Sequence, residues 1–531
     1  MLSIGQALLK RLQARPPAPT VTDPLPPLPS TADLQALFGA ARSRRSDDVE
    51  RLTLALLTID RDGDQLLRAS ATGLLHRAEA RLWVSLDLAA RRSWWRAPWW
   101  SGAAVRLLAT GNPTTLGLVV ASCHPDGYVR EAAVARLAEL PDDLAVPALA
   151  LRAADWVSEV RDRARLAIDV QLRAEPVRVV RLAAPIALTL SAKSQGGWFI
   201  DRLRAALRAA SDDAITSLLT ADDGRTRREA YLAALERDAL DLPSLVDVAA
   251  GDPDLPIRLM CARSAVRAAS HEGIYEALRP LLTSGTAVIR ADIVDSLARA
   301  GDVDAARDAL ADTHPRVRAV AQTAVRRAGG DPRAVYVELL TGIGAPRDRA
   351  RVVGAVAGIG DTGRPDDADI VEPFLENPRP RVRAEAVRSL RRLGRANPER
   401  LFPLLTDESG RVVKQVAVAL RPAAPTLNEP ALRHLLAPAS PARTRWAAYR
   451  LLRERGIYAR LSVDLDLVDD ANAEFAVRAR ADISDWLLSV GPTGYQPPAE
   501  SMAQRLEQQL TAKGGVLGEA TTRTLRFHLR P

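Results

Sequence analysis

The sequence has few of the residues that usually carry covalent, redox or metal chemistry. Only two cysteines, Cys123 and Cys261, occur in 531 residues, so no disulfide framework is available and a reducing compartment fits. The six histidines form no H-x-x-x-H or H-E-x-x-H pattern, and no C-x-x-C motif is present. The sequence therefore predicts a protein that is not an enzyme, with no metal site and no cofactor.

Long apolar runs are also missing from the chain. The longest ones, such as 116–122, are too short to span a bilayer, and residues 1–15 lack the apolar core and cleavage site of a secretory signal. Lysine is nearly absent, with 4 Lys against 69 Arg, a ratio typical of a high-GC bacterium. We therefore expect a soluble, cytoplasmic, bacterial protein without transmembrane insertion.

What the chain has in abundance is a short motif that recurs about every thirty-one residues. In each copy a β-branched or similar residue precedes a basic one. The copies are Val129-Arg130, Val160-Arg161, Ile257-Arg258, Ile289-Arg290, Val317-Arg318, Val382-Arg383, Val413-Lys414, Thr444-Arg445 and Val477-Arg478, with weaker ones at Arg228 and Arg349. A fixed period of this size indicates a solenoid of stacked helical or strand repeats.

Within each repeat, the spacing of apolar and small residues predicts an α-helix. Val382, Ala386 and Leu390 illustrate the i, i+4, i+8 stripe, which lies on one helical face. The small middle residue allows close approach of a neighbouring helix. Glycines are predicted to end helices at Gly301, Gly329, Gly360, Gly394 and Gly456. A second apolar segment follows before the next turn, so two helices fill each repeat.

Two copies of the motif resemble a known family. Residues 312–319 (DTHPRVRA) and 377–384 (NPRPRVRA) are similar to the turn and second helix of HEAT repeats, in the short bacterial form called phycobilisome-lyase-type. The resemblance covers roughly residues 60–490 and implies an all-α fold, a right-handed α-solenoid of about twelve to fourteen HEAT-like helix pairs. It specifies the fold strongly and the function weakly, because such repeats serve many unrelated tasks.

Proline-rich segments suggest the domain boundaries. Residues 1–30 are predicted to be an N-terminal helix and a Pro-rich linker, 31–490 the solenoid, and 491–531 a C-terminal linker and cap. Near this end, 461–467 and 523–529 alternate apolar and polar residues, which predicts strands of a small hairpin. A short irregular helix is the alternative for each segment.

A tryptophan cluster is the first candidate for direct contact with a partner. Trp94, Trp95, Trp99 and Trp100 surround Arg96. Exposed tryptophans beside arginine could bind a peptide or stack on nucleobases. The alternative is that they fill an irregular junction between two repeats, since buried aromatics are the more common state.

Arginines on a second helix are the next candidates. They are Arg379, Arg381, Arg383 and Arg388. In HEAT-like solenoids the second helices tend to line the concave face, where such residues could contact an acidic protein or nucleic acid. Alternatively, the Arg after each Val pairs with an Asp or Glu of a neighbouring turn as a structural ladder. If its pair is exposed, Arg383→Ala should cost little stability.

The leading functional hypothesis is a non-enzymatic scaffold that binds a protein partner along the concave surface. The alternative is a nucleic-acid-binding protein or a HEAT-like DNA glycosylase, with Trp156 beside Asp155 or Trp198 near Asp201 as residues of the right type. A chromophore-lyase-like subunit is a third interpretation, implied only by the resemblance. The acidic residues of 464–474 are interpreted as a solvated face or a contact for the basic repeats.

Overall fold

The computed structural model describes residues 27–43, 45–93, 113–192, 195–342, 349–490 and 497–529. Across these ranges the regular structure is helical throughout, without strands. The chain divides into two compact units, Met1–Ala268 and Ala269–Pro531, which we call the N-terminal and C-terminal units. None of the helices in the described ranges has both the length and the apolar character needed to cross a bilayer.

The helices of the N-terminal unit pack against their neighbours along the chain. They are α1 (Thr31–Ala41), α2 (Ser46–Asp62), α3 (Gln65–His76), α4 (Ala80–Ser93), α5 (Thr115–Ser122), α6 (Gly127–Leu137), α7 (Ala145–Arg152), α8 (Ser158–Ala174), α9 (Pro176–Leu190), α10 (Gly197–Ala209), α11 (Asp212–Leu218), α12 (Gly224–Glu236), α13 (Leu242–Gly251) and α14 (Leu255–Glu272). Consecutive helices such as α5 and α6, or α11 and α12, pack against each other. Helices α1 to α12 share one continuous apolar core.

The C-terminal unit repeats this plan more regularly. Its helices are α15 (Ala287–Arg299), α16 (Val303–Ala309), α17 (Pro315–Arg327), α18 (Pro332–Thr341), α19 (Arg349–Thr362), α20 (Ala368–Val371), α21 (Pro380–Arg392), α22 (Pro398–Leu401), α23 (Gly410–Leu420), α24 (Glu429–Leu436), α25 (Ala442–Arg453), α26 (Ile457–Leu467), α27 (Ala473–Asp485), α28 (Glu500–Leu517) and α29 (Glu519–Leu529). The second helices of successive repeats, α19, α21, α23 and α25, pack side by side.

Proline shortens the first α-helix of some repeats in the C-terminal unit. α20 continues as a 3-10 segment at Glu372–Glu376, and α22 continues as one at Phe402–Thr406. Each of these segments has proline among its first residues, at Pro373 and Pro403. Because proline has no N–H to donate, the α-helical bonding pattern cannot continue unbroken there. The first helix of these repeats is therefore short.

The predicted apolar stripe forms the core of the second helices. In α21, Val382, Ala386 and Leu390 are at most 2% exposed, which confirms both the stripe and the small middle position. The last copy of the motif is out of register, because Val477 is 65% exposed while other residues of α27 are buried in its place. Those residues are Phe475, Ala479 and Ile483. The prediction for Val477-Arg478 is therefore wrong by two positions.

A ladder of ion pairs connects repeats within each unit, and it confirms the structural interpretation for five of the nine motif copies. The Arg383 guanidinium binds the carboxylate of Asp407 through two bonds of 2.8 Å. Its third nitrogen donates to the carbonyls of Asn377 and Pro378 in its own turn, at 2.9 and 3.3 Å. Equivalent pairs are Arg130–Asp155, Arg290–Asp312, Arg318–Asp361 and Arg445–Asp470.

The aspartates of this ladder also shape the turns that hold them. Asp155, Asp312, Asp407 and Asp470 each accept the N–H of the residue two positions later, at 3.0, 2.7, 2.7 and 2.9 Å. Burial alone would raise the pKa of Asp155, Asp312 and Asp470. The guanidinium and N–H bonds outweigh it, and each pKa lies below its ordinary value.

Glycines end several helices as predicted. Gly301, Gly329, Gly394 and Gly456 have positive φ angles of 98°, 82°, 72° and 127°. Such angles are strained for residues that carry a Cβ. Gly360 differs, because it lies inside α19, where an added Cβ would stand 2.5 Å from the Ser389 hydroxyl. The prediction that Gly360 ends a helix is wrong.

The C-terminal segments are helical rather than extended. Residues 461–467 lie in α26 and residues 523–529 in α29, so the strand prediction is wrong and its helical alternative holds. α28 and α29 pack on the last repeat through a small apolar cluster. Its buried members are Leu461, Leu465, Val468, Ile483, Trp486, Leu506, Leu510 and Leu525. A helix pair, not a hairpin, therefore covers the last repeat.

Candidate binding surface

Two groups of residues were predicted to contact a partner, and one of them lies outside the described residues. This group consists of Trp94, Trp95, Arg96, Trp99 and Trp100. Its role in binding stays a prediction. The second group, the arginines around α21, lies within the described part of the C-terminal unit.

The structure separates the arginines of this second group by what their guanidinium groups contact. Arg383 is buried and held by Asp407, as described above. Arg388 pairs with Glu385 of the same helix at 2.7 Å. Arg381 is exposed, and Arg379 is half-buried in the turn that precedes α21. The condition under which Arg383→Ala would cost little stability is not met, since the side chains of Arg383 and Asp407 are only 10% and 6% accessible.

The three neighbouring helices α21, α23 and α25 carry mostly positive charge. Their sequences contain eleven basic residues and one acidic residue, Glu385. Five of the eleven have carboxylate partners: Arg383, Arg388, Arg392, Arg445 and Arg453. The other six are exposed and have no carboxylate partner within the described ranges; they are Arg381, Arg391, Arg411, Lys414, Arg443 and Arg450. We call these six residues the cationic face.

The members of the cationic face occupy equivalent positions on adjacent helices. A basic residue directly precedes the first buried stripe residue of each helix. These stripe residues are Val382, Val412 and Thr444. The basic residues are Arg381, Arg411 and Arg443. Because α21, α23 and α25 pack side by side, the three arginines form a row along the first turns of the helices. The sequence motif missed this row, because it followed Arg383, Lys414 and Arg445, which lie two or three positions later on the same helices.

A groove opens at one end of the cationic face. It has a volume of about 600 Å³ and is lined by residues of α23, α25 and α27. Val413, Ala417 and Ala447 provide apolar surface, and the half-buried Trp446 lies beside them. The cationic face contributes basic residues to its lining, namely Lys414, Arg443 and Arg450. We call this site the Trp446 groove.

Aromatic stacking fixes the position of Trp446. Its ring stacks on Phe475 at 4.2 Å between centroids, and Tyr449 meets it edge-on at 5.5 Å. The guanidinium of Arg445 lies 4.3 Å from the centroid of the Phe475 ring. The indole is therefore held in place before any ligand arrives.

A buried carboxyl network lies behind the groove. The Tyr449 hydroxyl is 2.6 Å from Asp464 and 2.8 Å from Asp482. Asp482 binds the guanidinium groups of Arg453 and Arg478. Asp464 is fully buried, and this burial raises its pKa to about 7. The two arginines of the groove wall thus share the carboxylate of Asp482, whereas the rim residues have no carboxylate partner within the described ranges.

Three further aspartates of 464–474 form ion pairs with basic side chains. Asp466 pairs with Arg433, Asp469 with Lys513 at 2.5 Å, and Asp470 with Arg445. This confirms the interpretation of that segment as a contact for basic residues. In the described part of the chain, no three His, Cys, Asp or Glu residues come together as a metal site would need.

Trp156 and Asp155, one of the pairs named from the sequence for a glycosylase, do not form a catalytic pair. Asp155 is buried and its carboxylate is bound by Arg91, Arg130 and Arg152, at 3.1, 2.9 and 2.8 Å. With its pKa lowered and its oxygens occupied, this carboxylate is a poor general base. Trp156 is 72% exposed, and its ring centroid lies 5.5 Å from the guanidinium carbon of Arg130. Asp155 therefore belongs to the structural ladder.

Neither cysteine is prepared for nucleophilic chemistry. Both thiols are buried. Burial raises the pKa of Cys123 to about 11 and that of Cys261 to about 12. At neutral pH both side chains are therefore thiols, whereas thiolate is the reactive form.

Comparison with known proteins finds similar helical-repeat structures but no sequence family. No protein-family model and no curated protein matches the sequence. Importin beta, crystallised in polyethylene glycol, matches with 13% identity over 93% of this chain and 71% of its own length, at a TM-score of 0.33. Kap121p matches with 14% identity over 100% of this chain but 59% of its own length, at a TM-score of 0.26.

The complex of CpcE and CpcF of phycocyanin lyase, from Nostoc sp. PCC7120, is a third similar structure. It shares 16% identity over 52% of this chain and 94% of that chain, at a TM-score of 0.19. Nothing about the ligand of this protein follows from similarities as weak as these. The repeats themselves define the architecture through their paired helices, apolar stripe and arginine ladder. The chain is an all-α solenoid of helix-pair repeats.

Proposed function

We propose that this protein is a non-enzymatic interaction scaffold and that the cationic face of the C-terminal unit binds a partner protein. The observation that supports this most directly is the set of six exposed basic residues without carboxylate partners on three adjacent helices. In the ladder, by contrast, each arginine is paired with an aspartate of a nearby repeat. The cationic face departs from this pattern.

Stability does not account for the position of these charges. Arg381, Arg411 and Arg443 lie in the first turns of α21, α23 and α25. The positive end of the helix dipole disfavours cations there by a few tenths of a kcal/mol each. Repulsion among neighbouring cations adds to this cost. A role in binding an anionic partner explains why the charges occur together.

A nucleic acid is the main alternative partner, because a row of arginines also suits phosphates. The Trp446 groove favours a protein, since its valine and alanine surface is aliphatic and matches an apolar side chain. Base-stacking surfaces instead use several aromatic rings in succession. A role as a chromophore-lyase-like subunit has no support in the geometry of this face.

The proposal can be tested by affinity capture from the native cell lysate, with and without nuclease, followed by mass spectrometry. We would compare the wild-type protein with the triple variant Arg381→Glu, Lys414→Glu and Arg450→Glu. Arg523→Glu is the matched control, because Arg523 is an exposed arginine of α29 without a carboxylate partner in the described ranges. We expect a discrete protein that survives nuclease, is retained by the control and is lost from the triple variant.

Two results would contradict the proposal. Loss of every bound protein on nuclease treatment would identify a nucleic-acid binder. Equal retention by the triple variant would place the binding surface elsewhere on the chain.

A further inference from the structure

We infer that the Trp446 groove binds an acidic segment of a partner protein, with one apolar side chain of that segment in the groove and flanking carboxylates on Lys414, Arg443 and Arg450. This inference rests on the proposed function and specifies the chemistry of the partner. It is carried by three features of the groove: its unneutralised rim, its apolar surface and the fixed indole.

The rim of the groove carries positive charge that the described part of the chain does not neutralise. Lys414 and Arg450 are exposed and form no ion pair there. The only bond of the Arg443 side chain in those ranges is from Nε to the Asp407 carbonyl, at 3.0 Å. Arg453 and Arg478 also line the groove, but both bind the carboxylate of Asp482. Carboxylates of a ligand would therefore meet the rim.

The interior of the groove is suited to one side chain of moderate size. Val413, Ala417 and Ala447 are small and nearly inaccessible, with Trp446 beside them. Burying an aromatic or leucine side chain there would favour binding through the hydrophobic effect. An anion without an apolar group would leave this surface unused. The groove therefore distinguishes an acidic peptide with an apolar anchor from a plain polyanion.

Preorganisation strengthens the inference. The indole of Trp446 is held between Phe475 and Tyr449, so ligand binding would not need to order it. Rigid aromatic anchors with low entropic cost are typical of the residues that dominate protein interfaces. Both Tyr449 and Phe475 are buried, which keeps the stack intact in the free protein.

The test measures binding of fluorescent peptides to the full-length protein by anisotropy. The probe is an acidic peptide of about ten residues, rich in Glu and Asp, with a central Phe. Three controls accompany it: the same peptide with Ser for Phe, a Lys-rich peptide with the central Phe, and single-stranded DNA of equal charge. We expect binding of the probe, at least about tenfold weaker binding of the Ser peptide, and none of the Lys-rich peptide.

Variants locate the site on the protein. Lys414→Glu and Arg450→Glu should each weaken binding of the probe by about tenfold, because like charges would face each other. Arg523→Glu should leave the affinity unchanged. Circular dichroism melting of each variant checks that the fold is intact, which is expected because Lys414 and Arg450 are exposed and unpaired in the described ranges.

The outcomes separate this inference from the proposed function. Equal binding of the Phe and Ser peptides, or tighter binding of DNA, would overturn the inference. If the cellular partner is still lost from the triple variant in the capture experiment, the scaffold function stands and only the apolar anchor fails. If binding of the probe and capture of a cellular protein are both unchanged in the variants of the cationic face, the proposed function fails as well.

Discussion

At the residue scale, arginine has two different roles in this protein. Arg383 and Arg381 are two positions apart on α21, yet one is buried in the ladder and the other is exposed. The ladder position needs three donors in a planar arrangement, two for a carboxylate and one for turn carbonyls. Lysine has a single ammonium and cannot satisfy this geometry, which gives a structural reason for part of the arginine excess.

Breaking one ladder pair should be costly. Arg383→Ala leaves the carboxylate of Asp407 buried without its guanidinium, and we expect a loss of roughly 3 kcal/mol in the free energy of unfolding. Urea denaturation followed by circular dichroism measures it. Arg381→Ala, on the same helix but exposed, is the control and should change stability by less than about 0.5 kcal/mol. A similar small loss for both would mean that the buried pair contributes little.

A second residue-scale prediction concerns Asp464, whose pKa burial raises to about 7. Between its ordinary value of 3.8 and about 7, the folded protein retains a proton that the unfolded chain releases. This contribution to stability is therefore complete at low pH and is lost as the pH rises through 7. The groups nearest this carboxyl are Tyr449, Arg453 and Asp482.

Replacing Asp464 by Asn should remove that pH dependence. We expect the wild-type protein to lose on the order of 1–2 kcal/mol between about pH 5 and pH 8, and the variant to lose much less. Urea midpoints at the two pH values give the comparison. The low pKa of Asp482 does not interfere, because its titration lies below this window. If the stability of both proteins falls equally between the two pH values, Asp464 is not the source of the pH dependence.

At the element scale, the glycines of α19 show how close approach dictates composition. The segment 354–360 contains three glycines. An added Cβ at Gly354 would stand 1.9 Å from the Ala311 carbonyl oxygen, and one at Gly358 would stand 2.1 Å from the Tyr336 ring. Tyr336 cannot move aside easily, since it is buried and its hydroxyl donates to the Leu310 carbonyl at 3.0 Å.

Gly358→Ala should consequently destabilise the protein, although alanine favours helices. We expect a loss of about 1–3 kcal/mol from overpacking against Tyr336. Gly73→Ala in α3 is the matched control, because Gly73 is also helical and nothing lies within 4 Å of its added Cβ. That control should be neutral or stabilising by up to about 1 kcal/mol. Thermal melting distinguishes the two, and a gain at Gly358 would contradict the close packing.

The register of α27 shows where an element-scale prediction failed. The pattern Val477-Arg478 matches the motif as well as any other copy, but Phe475 occupies the buried position instead. Stacking of Phe475 on Trp446 and burial of its ring outweigh what Val477 could contribute. Which of these two residues is buried depends on the neighbouring helix, so the sequence pattern of α27 alone could not predict it.

At the scale of the whole molecule, each ladder bond connects a repeat only with a nearby one. The pair Arg290–Asp312, for example, joins α15 to the turn before α17. In such an arrangement, stability is a sum of repeat and nearest-neighbour contributions. The loss of one ladder pair should therefore destabilise only the repeats that this pair joins.

Hydrogen exchange with mass spectrometry tests this expectation. Asp312→Ala should increase exchange in α15 and α17 and leave the N-terminal unit unchanged, because only neighbouring contacts are lost. Asp308→Ala is the control, since that side chain is 76% accessible and pairs with Arg351 at its surface. Faster exchange across both units would show that unfolding is global instead.

The sequence by itself determined the helical repeat, the buried stripe and the capping glycines, because a fixed period and i, i+4 spacing depend only on local geometry. It also indicated the ladder, since arginine and aspartate recur with that period. Which arginines are buried, which remain unpaired, and where Trp446 meets Phe475 were decided only by the tertiary structure. Burial and charge compensation depend on the partner that an adjacent helix supplies, and that partner lies about thirty residues away in the sequence.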